Sequence, residues 1–334
     1  MLKQKLMVLV AFLFFHCYES QAQEEFKPSG NPFARIFFNF HYNPEGSSPA
    51  FDITRAYFGY KYNISEKFSG EITLDVGKSE VKLNDSTRLT TSLELTAFLK
   101  IAALMYESGN LQLDFGMIGL KHFKIQEKFW GYRYIEESFQ DLYDLAPSAD
   151  LGVSIEYKFH PIFSADLTIR NGEGYKKLQS DDALNTGLGL TLIPFKGMTV
   201  RGFYDYVKND VTQYTIAHFI GFQNKWFSAG TEYNTQINNK DKNGQDLSGY
   251  SLFTTIFLNE QFKLFGRYDD LYSNTLQSEI YSWNYQKDGT FIISGVEYTP
   301  LSNVQVALNY QGWTPENEEL EIQNYIFLNF QFTF

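Results

Sequence analysis

Charged side chains that recur at every second position are the residues of this chain best placed to act together. Arg35, Arg55, Arg170, Arg201 and Arg267 fall on one alternating face with Glu71, Asp75, Glu94, Asp114, Glu156, Asp166, Asp205, Glu232, Asp269 and Glu297. Fixed charges of both signs on one face can set a field across a water-filled space, or pair across neighbouring strands. Neither role is covalent chemistry, and the signals for such chemistry are weak. Beyond the amino-terminal leader the histidines are His41, His122, His160 and His218, with no metal-ligand spacing among them, so no metal site is expected. Asn171-Gly172-Glu173-Gly174 is a glycine-rich turn with no helical pattern after it, which is not a phosphate cradle. A hydrolase would need Ser and His brought together from neighbouring strands, and no pair stands out. No cofactor is implied and no enzyme activity is expected.

A second charged set lies in one long connection, about residues 119–150. It carries Lys121, Lys124, Lys128, Arg133, Glu136, Glu137, Asp141 and Asp144, interleaved with Phe123, Phe129, Trp130, Tyr132, Tyr134, Phe139 and Tyr143. A connection of this length is usually functional or disordered, and so many aromatic residues argue against disorder. The expectation is that it folds inward and narrows a pore. An external aromatic cap, or a pair of extra strands, is the alternative.

The elements that must position these residues read as strands. Residues 70–77, 151–159, 163–170 and 304–311 alternate apolar and polar with period 2. Val304, Val306, Leu308 and Tyr310 stand against Gln305, Asn309 and Gln311, for example. Applied throughout, this reading gives sixteen candidate strands between 33–42 and 322–334, with 276–285 left as a strand extension or part of a loop. Every second connection is short, as in His160-Pro161 and Gln223–Lys225, and most of those between are long and polar, as in Asn171–Ala183. Short periplasmic turns alternating with long external loops mark a membrane-spanning barrel. A sheet in lipid must close, because an open edge leaves its backbone groups without partners.

Composition agrees. Lys3 and Lys5 precede an apolar run from Leu6 to Phe15, and Ser20-Gln21-Ala22 supplies small residues at a cleavage site. Residues 1–22 therefore read as a signal peptide, and His16 before Cys17 fits a lipid-attachment signal poorly. Cleavage removes two lysines, one glutamate and the only cysteine, takes the net charge from −11 to −12, and leaves no disulfide framework. Aromatic residues are 18% of the chain although mean hydropathy is slightly negative, as expected when only alternate side chains meet lipid. The acidic balance argues against a nucleic-acid partner. At the carboxyl end Ile326, Leu328, Phe330, Phe332 and Phe334 point one way, and Phe327, Asn329, Gln331 and Thr333 the other. That terminal strand resembles the signal read by the barrel-insertion machinery of bacterial outer membranes.

Phe51-Asp52-Ile53-Thr54-Arg55-Ala56-Tyr57-Phe58-Gly59-Tyr60 and Gly70-Glu71-Ile72-Thr73-Leu74-Asp75 are similar to the first strands of phosphate-selective porin O/P-like proteins. Trp130-Gly131-Tyr132-Arg133-Tyr134 and Ser148-Ala149-Asp150-Leu151-Gly152-Val153 resemble porins of the Bacteroidetes type. The resemblance is clearest over residues 33–206. It implies a sixteen-stranded porin, often a homotrimer, with loops folded into the channel. Phosphate selectivity in that family rests on an arginine ladder and a lysine-rich vestibule. Here the chain is acidic and its inward arginines alternate with carboxylates.

The sequence thus predicts an all-β, transmembrane, antiparallel up-and-down β-barrel of about 16 strands. Residues 1–22 are a signal peptide, 23–32 a short periplasmic segment, and 33–334 the barrel, with its long third loop at 119–150. The expected function is passive diffusion of small hydrophilic or charged solutes across the bacterial outer membrane. A structural or adhesive barrel with partner-binding loops is the main alternative, and a barrel enzyme acting on lipid is the lesser one.

Overall fold

A computed structural model describes residues 26–46, 49–82 and 89–334, with the backbone alone at 78–82 and 89–94. The proposed signal peptide lies outside the described residues. Sixteen strands form one closed antiparallel barrel. In chain order they are β1 (Ser29–Tyr42), β2 (Ala50–Asn63), β3 (Phe68–Lys82), β4 (Leu89–Ser108), β5 (Leu111–Gly119), β6 (Ala149–His160), β7 (Phe163–Arg170) and β8 (Asn185–Leu192). The second half comprises β9 (Met198–Lys208), β10 (Thr212–Gln223), β11 (Phe227–Ile237), β12 (Leu247–Phe257), β13 (Phe262–Ser273), β14 (Gly289–Leu301), β15 (Val304–Pro315) and β16 (Gln323–Thr333). Each strand pairs with its neighbours in sequence, and β1 closes on β16 from Arg35↔Thr333 to Tyr42↔Ile326. Closure gives every strand a partner on both sides, which lipid demands.

The period-2 pattern is written in the burial. Along β12, Tyr250, Leu252 and Ile256 are exposed on the outside while Ser251, Phe253 and Thr255 are buried inside. The outer wall is largely apolar, including Leu188 and Leu190 on β8, Ile220 on β10 and Leu308 on β15, with His218 among its polar exceptions. On the terminal strand Phe330 and Phe332 share this outer face, and Phe330 stacks on Phe38 of β1 with ring centroids 4.6 Å apart. An aromatic pair therefore seals the seam where the barrel shuts.

Several strands run further than their alternation predicts. β1 starts at Ser29, so Ser29–Pro32, expected in the periplasmic segment, instead pair with Tyr60–Asn63 of β2. β13 runs on to Ser273, and the ambiguous 276–285 is loop apart from one bridge between Thr275 and Ser282. Gly119 belongs to β5, and Ala149 and Asp150 to β6, so the long third loop comprises residues 120–148. Ser29–Pro32 are exposed or half-buried on both faces and lose the contrast that marks strand middles, whereas Ala149 and Asp150 are buried and Leu271 packs on Phe139 and Leu145 of the loop. One rim carries only short turns and the other all the long connections.

A charge on the outer wall should be costly at mid-strand. Leu252→Lys is expected to destabilise the barrel in lipid vesicles by about 2–4 kcal/mol. Denaturant titration measures this, and an unchanged midpoint would mean that Leu252 does not face lipid.

Candidate functional site

The third loop does not stay at the rim. It contains two short helices, α1 (Lys124–Trp130) and α2 (Phe139–Leu142), and crosses the interior to the opposite wall. Gly131 ends α1 at φ 76°, a left-handed turn that a side chain would strain, and its N–H caps the Glu127 carbonyl at 2.9 Å. Trp130, Tyr132, Tyr134 and Ile135 then form one buried cluster with Phe37 of β1, Phe219 of β10, Phe253 of β12, Phe265 of β13 and Ile293 of β14. Further along, Phe139 and Leu145 pack with Leu247 and Leu271. Room for these rings comes from inward glycines. A Cβ on Gly221 would meet the Phe129 ring at 2.7 Å, and one on Gly249 would meet Phe139 at 2.5 Å.

Polar groups fix the loop where its rings dock. Arg267 grips Asp269 with two hydrogen bonds of 2.8 and 2.5 Å, donates to the Glu137 carbonyl, and lies 5.1 Å over the Trp130 ring. The Tyr134 hydroxyl donates to Glu297 at 2.8 Å, and Trp130 Nε1 donates to the Glu136 carbonyl at 3.0 Å. Gln236 reaches the Leu145 carbonyl at 2.8 Å, and Asn329 reaches that of Tyr134 at 3.3 Å. At the entry of the loop Arg201 donates to the His122 carbonyl at 3.4 Å. Burial, together with the charges of Arg170 and Arg201, pushes the His122 pKa well below its usual value, so its ring stays neutral.

The inward charges expected from sequence sort into three groups. Most are buried and paired. Arg201 holds Asp166 by two bonds of 2.7 and 3.0 Å, Arg170 pairs with Asp205 at 2.8 Å, and Lys263 with Glu297 at 2.6 Å. Glu232 is buried and accepts from Asn234 at 3.0 Å. Asp114 and Glu156 both meet Lys121, at 3.6 and 2.7 Å, so this lysine is tied to the wall next to the loop's start. A second group is open to water: Glu71 is half-buried beside Thr73, and Arg35 is exposed near the short-turn rim. The side chain of Glu94 lies outside the described residues.

The third group brings wall and loop together. Arg55 on β2 contacts Asp75 at 3.1 Å and Glu137 of the loop at 3.3 Å. Lys100 on β4 stands 3.6 Å from Asp75. On the loop, Arg133 is fanned by Glu137 at 2.6 Å, Asp141 at 3.4 Å and Glu127 at 3.8 Å, and Glu127 also pairs with Lys124 at 3.0 Å. Asp75 and Lys100 are buried, but Arg55, Arg133, Lys124, Glu127, Glu137 and Asp141 are partly exposed, unlike the aromatic cluster on the other side of the same segment. The loop thus has a dry face on β10–β14 and a charged face toward β2–β4. Lys128 is exposed, while Asp144 sits near the long-loop rim with Lys240, 3.4 Å away, and does not join the charged face.

Sequence reasoning missed Tyr57, Lys100, Glu127 and Tyr175. Lys100 lies on the same parity as Glu94 and Phe98, so alternation marks it as inward, and the register shift in the β3–β4 pairing at Thr73/Leu74 falls beside it. Tyr175 comes from the β7–β8 connection, and its hydroxyl donates to Asp75 at 2.5 Å. Nothing local in the sequence marks it. The docking partners Phe219, Phe253 and Phe265 did leave a signal, as large apolar residues on the inward parity close to inward glycines.

Solved structures share this architecture. OmpF of Salmonella typhi, in complex with daunomycin, superposes with a TM-score of 0.66 at 11% identity, covering 91% of this chain and 97% of that one. The likeness is one of fold. The outer membrane channel DcaP of Acinetobacter baumannii gives 0.61 at 11% identity, with 92% and 97% covered. The trimer form of OmpT, an outer membrane protein of Vibrio cholerae, gives 0.60 at 14%, with 92% and 99% covered. No family model and no curated relative matches the sequence.

Two predictions follow from the loop's two faces. Trp130→Ala removes the ring at the centre of the dry face and should weaken docking by about 3–5 kcal/mol. Limited proteolysis should then cut within 120–148 while the barrel survives; wild-type resistance would place the docking energy elsewhere. On the charged side, burial and the neighbouring Glu137 charge push Glu136 up to about 7 and Asp141 up to about 6. Both acids hold their proton more tightly when docked than in a free chain, whose values lie near 4. Their share of the docking strength is therefore full below about pH 4 and is lost as pH rises through about 6 to 7. Neutral His122, and Glu127 and Glu137 with their lowered pKa values, act in the opposite sense. The rate of cleavage within the loop of Glu136→Gln relative to wild type should therefore fall as pH rises from about 5 to 8. A ratio that does not change over that range would contradict it.

Proposed function

We propose that this protein is a porin of the bacterial outer membrane, a passive diffusion channel for small hydrophilic solutes narrowed by its third loop. One observation carries the reading. The loop packs its rings against one side of the interior and turns its charges toward the other, an arrangement that suits a polar route between loop and wall. Sixteen strands enclose enough space for such a route even with a segment folded inside. The charges along it nearly balance, with Arg55, Lys100, Lys124 and Arg133 against Asp75, Glu127, Glu137 and Asp141. Weak ion preference is the expected result, not the strong anion selectivity of a phosphate channel.

In this reading the chain enters the periplasm through a cleaved signal peptide. The strand ending in Phe330, Phe332 and Phe334 is taken up by the insertion machinery, both termini face the periplasm, and the long connections face outward. A homotrimer is in keeping with the trimer form of the similar Vibrio cholerae barrel. No catalytic role is assigned.

Purified protein in planar bilayers tests this. Stepwise, ohmic conductance with a reversal potential near zero in asymmetric salt is expected, and Glu137→Lys should shift that potential toward anions. A protein that inserts but never conducts would favour an adhesive barrel with a blocked lumen.

A further inference from the structure

The wall opposite the loop carries more than fixed charge. Three half-buried aromatic rings line it: Tyr57 on β2, Phe98 on β4 and Tyr175 on the β7–β8 connection. Two lysines are interleaved with them. Lys100 Nζ stands 4.9 Å over the Tyr57 ring and 5.1 Å over that of Tyr175, and Lys176 Nζ is 5.8 Å over Phe98 and 5.9 Å over Tyr175. Phe98 meets Tyr175 edge-on with centroids 6.3 Å apart. By register Phe98 is opposite Asp75 and faces inward, yet it belongs to none of the buried clusters that seat the loop.

The local charge is also unbalanced. Among the described residues Asp75 is the single carboxylate of the wall paired here, shared by Arg55 at 3.1 Å and Lys100 at 3.6 Å, and from the loop Glu137 contacts Arg55 at 3.3 Å while also held by Arg133 at 2.6 Å. Lys176 is exposed and pairs with no carboxylate among the described residues. In a chain of net charge −11 this is a small positive spot, set among half-buried rings of which Phe98 and Tyr175 lie outside the loop-seating cluster. An apolar ring left facing water costs free energy that a flat solute would recover, and an ammonium group beside it supplies the partner for an anion.

Resting on the channel reading above, we propose that this wall is a binding step for small ring-bearing carboxylates. The ring would lie against Phe98 and Tyr175, and the carboxylate would face Lys176 and Arg55. An inorganic anion offers no ring and a neutral sugar no charge, so each would satisfy half of the site.

Solute block of single-channel current tests it, with benzoate and glucuronate as the two kinds of ring carboxylate, and inorganic phosphate and glucose as controls. Benzoate, glucuronate or both should interrupt the current in a saturable way, and the controls should need roughly tenfold higher concentration. Whichever of the two blocks more tightly assigns the ring as aromatic or sugar. Phe98→Ala and Lys176→Ala should each weaken block by about fivefold with unitary conductance retained. Lys176→Arg should keep the block, and Lys177→Ala should leave it unchanged. A conducting channel that none of the ring carboxylates blocks overturns the binding step and leaves the porin reading intact. Equal block by phosphate, or by glucose, overturns it as well. A barrel that does not conduct overturns both.

Discussion

A sheet of sixteen strands closes around more space than its own side chains can fill. That constraint shapes the rest of this molecule. The chain answers it with residues 120–148, which cross the lumen and bury Trp130, Tyr132, Tyr134 and Ile135 against inward rings of β1, β10, β12 and β13. Because the outer wall must be apolar for lipid, the barrel is inside out relative to a soluble domain. Its largest hydrophobic cluster is a local one, built where the loop meets the far wall, with a smaller one of Ala103, Ile118 and Leu120 at the loop's start.

What remains inside is polar and mostly paired. Buried ion pairs such as Arg201–Asp166 and Arg170–Asp205 contribute little net stability, since desolvation offsets their attraction. Their value here is positional. Breaking one partner leaves a lone charge in a dry wall, so the pairs hold register and keep the loop's entry fixed through Arg201 and the His122 carbonyl. Where pairing is incomplete, beside Lys124 and Lys176 and along Arg55–Glu137, the side chains are more open. Packing and charge thus divide the lumen into a closed half and a polar half.

The barrel was legible because lipid on one side and a polar interior on the other impose strict alternation. Strand middles such as Tyr250–Ile256 carry that signal strongly, and the turn parity set the up-and-down order. Strand ends were less legible: Ser29–Pro32 are exposed or half-buried on both faces, and Leu271 is buried by packing on Phe139 and Leu145 of the distant loop. The inward charges could be read from parity alone, but their partners could not: pairing Arg55 with Glu137 needs the loop's path. Lys100 shares the inward parity of Glu94 and was legible from it, while Tyr175 was hidden by the absence of any periodicity in a turn. Alternation encodes which way a residue faces, not which distant segment will meet it.

The division of the lumen into a dry side and a wet side is the central claim, and thiol labelling measures it directly. Cys17, within the proposed leader, is the only cysteine, so single cysteines can be placed cleanly in the mature chain. With a charged methanethiosulfonate reagent added to the conducting protein, Glu137→Cys should react rapidly and reduce the current. Ile135→Cys, two residues away on the packed face, should stay unreactive until the protein is denatured. Equal reactivity at the two positions, or faster reaction at Ile135→Cys, would contradict the account.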